Sequence, residues 1–224
     1  MNNLFAQASQ QVLSWIYPPR CLGCEVWVEK QYALCAACEQ TLHWLPAELS
    51  VSRISQPYWN KVYSSLAYEG NVSKALLRYK YSEDLSCLPL FAEWLAFHQA
   101  RLAHIDVIVP VPLGKKKLAS RGFQQTLLLA KALGKKIDKP VLRHALRRVQ
   151  EASRAQMELN AAERQVSVHG HFALDEKQKN QVLEKNVLLL DDVFTTGATS
   201  NECAKVLKQA GAREVVVLTV ARRL

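Results

Sequence analysis

The sequence predicts an α/β chain, a mainly parallel sheet with crossover helices preceded by a small four-cysteine zinc module. Three observations carry this expectation. Short, largely apolar runs, of which Val187–Leu190 and Val215–Val220 are the clearest, suit strands buried on both faces, as in parallel sheets. These runs alternate with stretches of helical period, the order that winds a parallel sheet. Ahead of them stand two C-x-x-C pairs, Cys21-Leu22-Gly23-Cys24 and Cys35-Ala36-Ala37-Cys38, ten residues apart.

At the start of the chain, Leu4, Phe5, Ala8, Val12, Trp15 and Ile16 recur at helical spacing until Pro18-Pro19 stops the helix. The first seventeen residues hold no Lys or Arg. Interfacial helices usually carry such cations on their polar face, so this helix is expected to pack on its own protein. The charged beginning of a secretory signal is missing too, and a cytoplasmic location follows. No apolar span reaches eighteen residues, so no transmembrane helix is expected.

Four thiolates in two tight knuckles can close a tetrahedral site, and in an intracellular chain zinc is a better occupant than two disulfides. Cys21, Cys24, Cys35 and Cys38 leave no open coordination position, which makes the expected metal structural. Residues 1–50 then form the helix and zinc module, and residues 51–224 the α/β domain. Cys87 and Cys203 lie in apolar helical patterns and are read as packing residues.

After Pro57 the pattern gives a strand from about Val62 to Tyr68, a helix from Val72 to Tyr79 and a second helix from Leu88 to about Leu102. Ile105–Val109 is a buried strand ended by Pro110-Val111-Pro112. The turn Leu113-Gly114-Lys115-Lys116-Lys117 follows at the strand's C-terminal end, Arg121 to Gln125 opens another helix, and that helix runs to about Lys136. The last pieces are Val187–Leu190, a helix from Ala198 to Ala210, and the strand Val215–Val220.

Charge is unevenly spread. Of a net +9, the stretch from Lys115 to Arg154 carries twelve Lys or Arg against only Asp138 and Glu151, so the rest of the chain is close to neutral. Such a block fits an anionic partner, either a phosphorylated small molecule or nucleic acid.

The most informative stretch is Val187 to Thr199, V-L-L-L-D-D-V-F-T-T-G-A-T. It reads as a strand, two carboxylates, a Thr/Gly turn and a helix start. Ligands of open α/β sheets bind beyond the carboxyl ends of strands, and a helix N-terminus attracts phosphate. Thr195, Thr196 and Thr199 add hydroxyl donors, and Gly197, just before Ala198, lets the backbone come close. Asp191 and Asp192 repel an anion but accept hydrogen bonds from a polyol or help to hold a divalent cation. A sugar phosphate satisfies both halves.

This stretch resembles the 5-phosphoribosyl-1-pyrophosphate (PRPP) signature of type I phosphoribosyltransferases, although Phe194 is bulkier than the aliphatic residue usual there. With the four-Cys module, V-P-V-P-L from Val109 to Leu113 and R-G-F-x-Q from Arg121 to Gln125, in that order, the chain is identified as similar to the ComF family over about residues 15 to 224. Lys80 fits that family's L-x-Y/F-K element, and Gln156 and Arg164 fit its mobile segment. Gln124 stands where Asn is common, and Ala152 and Ser167-Val168 depart from a usual Thr and Asn-Val pair.

The resemblance implies a type I phosphoribosyltransferase-like fold, PRPP as ligand with Mg²⁺, and a role in DNA uptake during natural transformation beside other uptake proteins. If the chain is catalytic, a nitrogen nucleophile displaces pyrophosphate from ribose C1. Asp191 and Asp192 then position the ribose, and Gly114, Lys115, Lys116 and Arg147 or Arg148 meet the pyrophosphate. No acceptor-binding motif accompanies the loop. The competing reading is a PRPP-fold binding protein whose basic stretch receives single-stranded DNA. Phe123 is the only aromatic residue in that stretch, so base stacking from within it is sparse.

Overall fold

The computed structural model describes residues 19–29, 34–46, 54–81, 85–149 and 170–224. The expected N-terminal helix lies outside these residues, as do Ala152, Gln156, Arg164, Ser167 and Val168. The parallel α/β architecture is the one expected. Strands β1 (Lys61–Ala67), β2 (Val107–Pro110), β5 (Asn186–Phe194) and β6 (Glu214–Arg222) form a four-stranded parallel sheet in the order β1-β6-β5-β2. A two-stranded antiparallel ribbon pairs β3 (Leu146–Arg148) with β4 (Phe172–Leu174).

Alternate side chains of a strand point to opposite faces, and here both faces are covered, so the central strands read as continuous apolar runs. Leu188, Leu190, Val216 and Leu218 face one core, shared with Ala75, Leu76, Phe91, Leu95, Leu129 and Leu133. Those partners come from α2 (Gly70–Tyr81), α3 (Leu88–Ala96) and α5 (Gln125–Ile137), which follow the shorter α1 (Ala36–Gln40) and α4 (Lys115–Arg121) of the same chain order. Val187, Leu189, Val215 and Val217 face the other core, filled by Trp59, Phe172, Cys203 and Leu207. The last two belong to α7 (Ala198–Gln209), which follows the single turn α6 (Lys179–Val182). Cys87 and Cys203 are fully buried, as their patterns predict.

Four local expectations are corrected. The carboxylates do not end their strand: β5 continues through Asp191 and Asp192 to Phe194 because β6 pairs on, Val193 with Ala221 and Phe194 with Arg222. The helix begun at Leu88 stops at Ala96, and a 3₁₀ turn covers Gln99–Leu102; the His98 amide bonds Leu95 O at 3.2 Å, the tighter spacing that breaks an α-helix. Ile105 and Asp106 precede their strand, since the Asp106 carboxylate takes the Asn186 amide at 2.8 Å. Lys115, Lys116 and Lys117 are not a turn but the first turn of α4, which Gly114 opens and Gly122, at φ +70°, closes.

The ribbon was not expected. Its strands are three residues each and two of the six are arginines, too short and too charged to show a period.

The metal module is joined to the sheet. Leu45 N–H donates to Ser65 O at 3.0 Å and Ala67 N–H to His43 O at 2.9 Å, an antiparallel addition to the outer side of β1. On the far side of the sheet, Ile108 is flanked by a parallel bridge to Val141, its amide bonding Pro140 O and its carbonyl accepting from Leu142, both at 2.9 Å.

Candidate functional site

Cys21, Cys24, Cys35 and Cys38 come together, with ligand atoms all within 4.8 Å of one another. Sulfurs about 2.3 Å from a zinc ion stand roughly 3.8 Å apart at the corners of a tetrahedron. Cys24 and Cys35 Sγ are 3.6 Å apart. Amides of Gly23 (3.4 Å) and Cys35 (3.2 Å) donate to Cys21 Sγ. Burial works against the Cys21 thiolate, but backbone hydrogen bonds from Cys35, Cys24 and Gly23 outweigh it and bring the thiol down to about 6. Cys38 is pushed up to about 12 by burial and by the other three sulfurs. Four thiolates crowded in this way need a dication, and the set fits a structural zinc. Gly23 is required in the first knuckle: a Cβ there would sit 2.9 Å from Cys38 Sγ and 3.1 Å from Asn71.

The second cluster forms where β5 runs on past its neighbour β2, still paired with β6. The Asp192 amide donates to the Asp191 carboxylate at 2.9 Å, and Lys80 Nζ lies 2.9 Å from Asp192 Oδ2, with both side chains largely buried. Burial, then repulsion from Asp192, pushes Asp191 up to about 7 despite Lys80 and Lys117. Burial works to lower the pKa of Lys80, but Asp192 holds it above the usual value. Lys80 is brought to the acids by the fold, a place that sequence reasoning did not give it. Its signal was the L-x-Y/F-K element, which marked the residue without assigning it a role.

Lys80 is held from behind. Gln125 Nε2 donates to Lys80 O (3.3 Å), Tyr79 Oη donates to Gln125 O (2.9 Å), and Arg121 Nη1 donates to Gln125 Oε1 (3.2 Å). Arg121 and Gln125 of the R-G-F-x-Q run therefore brace the end of α2.

Beyond the acids the loop turns sharply. Gly197 takes φ +80°, and a Cβ on it would meet Phe194 Cζ at 2.7 Å and Trp59 at 2.8 Å. The unusual Phe194 is buried against Trp59, edge to face at 5.7 Å, with the Arg222 guanidinium 4.9 Å from its ring centre. Thr196 Oγ1 accepts from the Ala198 amide at 3.3 Å. Thr195 is exposed, Ala198 is buried, and Thr199 lies between these extremes.

The basic stretch contributes unequally. Lys117 acts on Asp191, and desolvation, then Arg121, Arg148 and Lys80, lower its own pKa. Lys115, Lys116 and Lys117 are all exposed on α4, and Arg147 is exposed on β3. Arg148 lies 5.3 Å from the Phe172 ring centre. Glu202 of α7 accepts the Gly170 amide at 3.2 Å, tying the ribbon to the helix that follows the Thr/Gly loop.

A family model for the double zinc ribbon domain matches residues 12–60. Among the described residues there is one four-cysteine cluster. Competence protein F of Haemophilus influenzae is 29% identical over 208 residues, 90% of either chain. Competence protein ComFC of Streptococcus pneumoniae is 31% identical over 146 residues, 65% of this chain and 60% of that one. Among solved structures, the glutamine PRPP amidotransferase of B. subtilis, complexed with ADP and GMP, aligns with a TM-score of 0.41 at 20% identity, covering 64% of this chain and 30% of that one. The chain thus spans almost all of competence protein F but less than two thirds of the ComFC protein and under a third of the amidotransferase.

Proposed function

We propose that this homologue of the competence F and ComFC proteins acts in DNA uptake during natural transformation, as a cytoplasmic protein that binds PRPP with Mg²⁺ and receives single-stranded DNA. The observation that carries the role is the match to competence protein F across nine-tenths of both chains. Among the described residues no helix is long and apolar enough to cross a membrane.

The sugar-phosphate reading is supported by the end of β5. Asp191 and Asp192 stand where a ribose diol needs acceptors, and the loop Thr195, Thr196, Gly197, Ala198, Thr199 leads into α7, where a 5'-phosphate meets a helix start. The two carboxylates are donors of the kind Mg²⁺ takes. Lys80 already holds Asp192 and Asp191 has a raised pKa, so the two carboxylates would be minor ligands of the ion, which would neutralise pyrophosphate charge.

A second reading, an active phosphoribosyltransferase using a nitrogen nucleophile in metabolism, is favoured by one observation: Lys80 lies 2.9 Å from Asp192 and, with Lys117, acts on Asp191, which brings cations to the place where departing pyrophosphate needs them. Lys117 joins Lys115, Lys116 and Gly114 as a candidate for that contact.

Two measurements test the proposal. Expressed in Haemophilus influenzae lacking its competence protein F, the chain should restore transformation; failure at normal expression overturns the uptake role. PRPP with Mg²⁺ should raise the Tm by mass action, and Asp191→Ala with Asp192→Ala should abolish the shift. An undiminished shift would move the ligand elsewhere. Release of pyrophosphate on adding nitrogen nucleophiles would select the enzyme.

A further inference from the structure

We infer that Tyr81, backed by Arg121, is a stacking platform for a nucleobase, with Lys117 beside it to take the adjoining phosphate. The inference rests on the DNA reading above and gives it a location outside the basic stretch.

Phe123, the aromatic residue within that stretch, is not available. It is half-buried and packs against Tyr79, ring centres 6.1 Å apart. Tyr81 is different. It ends α2, immediately after Lys80, and is 69% exposed. An exposed tyrosine ordinarily samples several rotamers, yet this one is clamped. The Arg121 guanidinium lies 5.0 Å from its ring centre and Nη2 donates to its hydroxyl at 3.4 Å. Arg121 is itself fixed by buried Gln125, which also binds the carbonyl of Lys80. With a cation covering one face, the exposed face remains for a planar ligand.

The surroundings suit a nucleotide more than an apolar partner. Lys117 stands one helical turn before Arg121 on α4, and its charge interacts with Arg121, Arg148, Tyr81 and Lys80, so an incoming phosphate meets positive charge on the helix that backs the ring. Leu118, 40% exposed on the same short helix, adds apolar surface. Tyr58 also has a cation over its ring, Lys205 at 5.7 Å, but a flexible ammonium does not clamp it. A preordered ring reduces the ordering cost of binding, and stacking tolerates any base because every base has a π-face. The ligand chemistry is thus a base with a neighbouring phosphate, supplied either by a DNA strand or by a free nucleotide.

The test uses the zinc-loaded full chain and three probes: an oligothymidylate, an abasic phosphodiester of equal length, and thymidine monophosphate. Tyr81→Ala should weaken the oligothymidylate about tenfold or more and leave the abasic strand and the salt slope unchanged. Tyr81→Phe should retain most of the affinity. Lys117→Gln should weaken both strands and reduce the log–log salt slope by roughly 0.7. Thymidine monophosphate that binds and loses affinity in Tyr81→Ala, while neither strand binds, would assign the platform to a free nucleotide and remove the DNA reading. Unchanged oligothymidylate affinity in a folded Tyr81→Ala protein overturns the platform and spares the DNA reading. No binding of any probe by the unmodified chain overturns both.

Discussion

Acidification should cost this protein stability through one imidazole, and His98→Leu should remove that cost. His98 is fully buried between the Tyr63 ring, stacked at 5.4 Å, and the edge of Phe97 at 5.6 Å. Neither ring nitrogen has a hydrogen-bond partner. Burial, with Arg101 adding repulsion, brings its pKa from 6.5 down to about 4. The folded state therefore requires the neutral ring, whereas the unfolded chain accepts a proton from about pH 6.5 downward. Stability is fully present above that pH and declines as pH falls toward 4. At about 1.4 kcal/mol per unit of pKa difference, the full loss is about 3 kcal/mol, of which about 2 kcal/mol is gone by pH 5. Asp191 works in the opposite sense: with its pKa raised to about 7, it favours the folded state as pH falls. The raw profile mixes these contributions, but the difference between parent and variant cancels whatever both proteins share. Urea unfolding at half-unit steps from pH 7.5 to 5 should show the parent losing about 2 kcal/mol more than His98→Leu. Parallel profiles would refute the reasoning and mean that the imidazole finds a proton acceptor when buried.

One zinc per chain is expected by elemental analysis; Cys21→Ser should release it and lower the Tm, while Cys87→Ser, at a packing position outside the cluster, should keep it. Gly197→Ala should cost roughly 2 kcal/mol in chemical denaturation, since its Cβ would approach Phe194 and Trp59 within 2.8 Å at φ +80°. An unchanged midpoint would show that the loop can relax around both rings.

The sheet was legible because both its faces are covered. Val187–Leu190 and Val215–Val220 carry no alternation, and the helices between them have one apolar side each, so element type and order followed from period alone. What escaped depends on pairing. Nothing in V-L-L-L-D-D says that a strand continues past its apolar residues, since that extension comes from β6 as the neighbour. The β3–β4 ribbon was invisible for a similar reason, as twenty-three residues separate its two short strands. Asp191, Asp192 and the Thr/Gly loop could be picked out as a local run. Lys80 could not be tied to Asp192 across more than a hundred residues by local pattern, nor could Tyr81 be tied to Arg121. The four cysteines were the easiest case, because two knuckles at short spacing already contain the whole ligand set.

The way the module attaches gives its metal a role beyond its own fold. A parallel sheet of four strands has two flanks, and each flank offers unpaired amides and carbonyls to any passing chain. Here residues 140–142 occupy one flank at Ile108, and His43 to Leu45 occupy the last residues of β1 on the other. The second guard is held in position by the cysteine cluster. Stripping the zinc would therefore loosen the module and also uncover a template for strand addition. The metal-free protein should self-associate before it unfolds, with its zinc acting as a safeguard against aggregation.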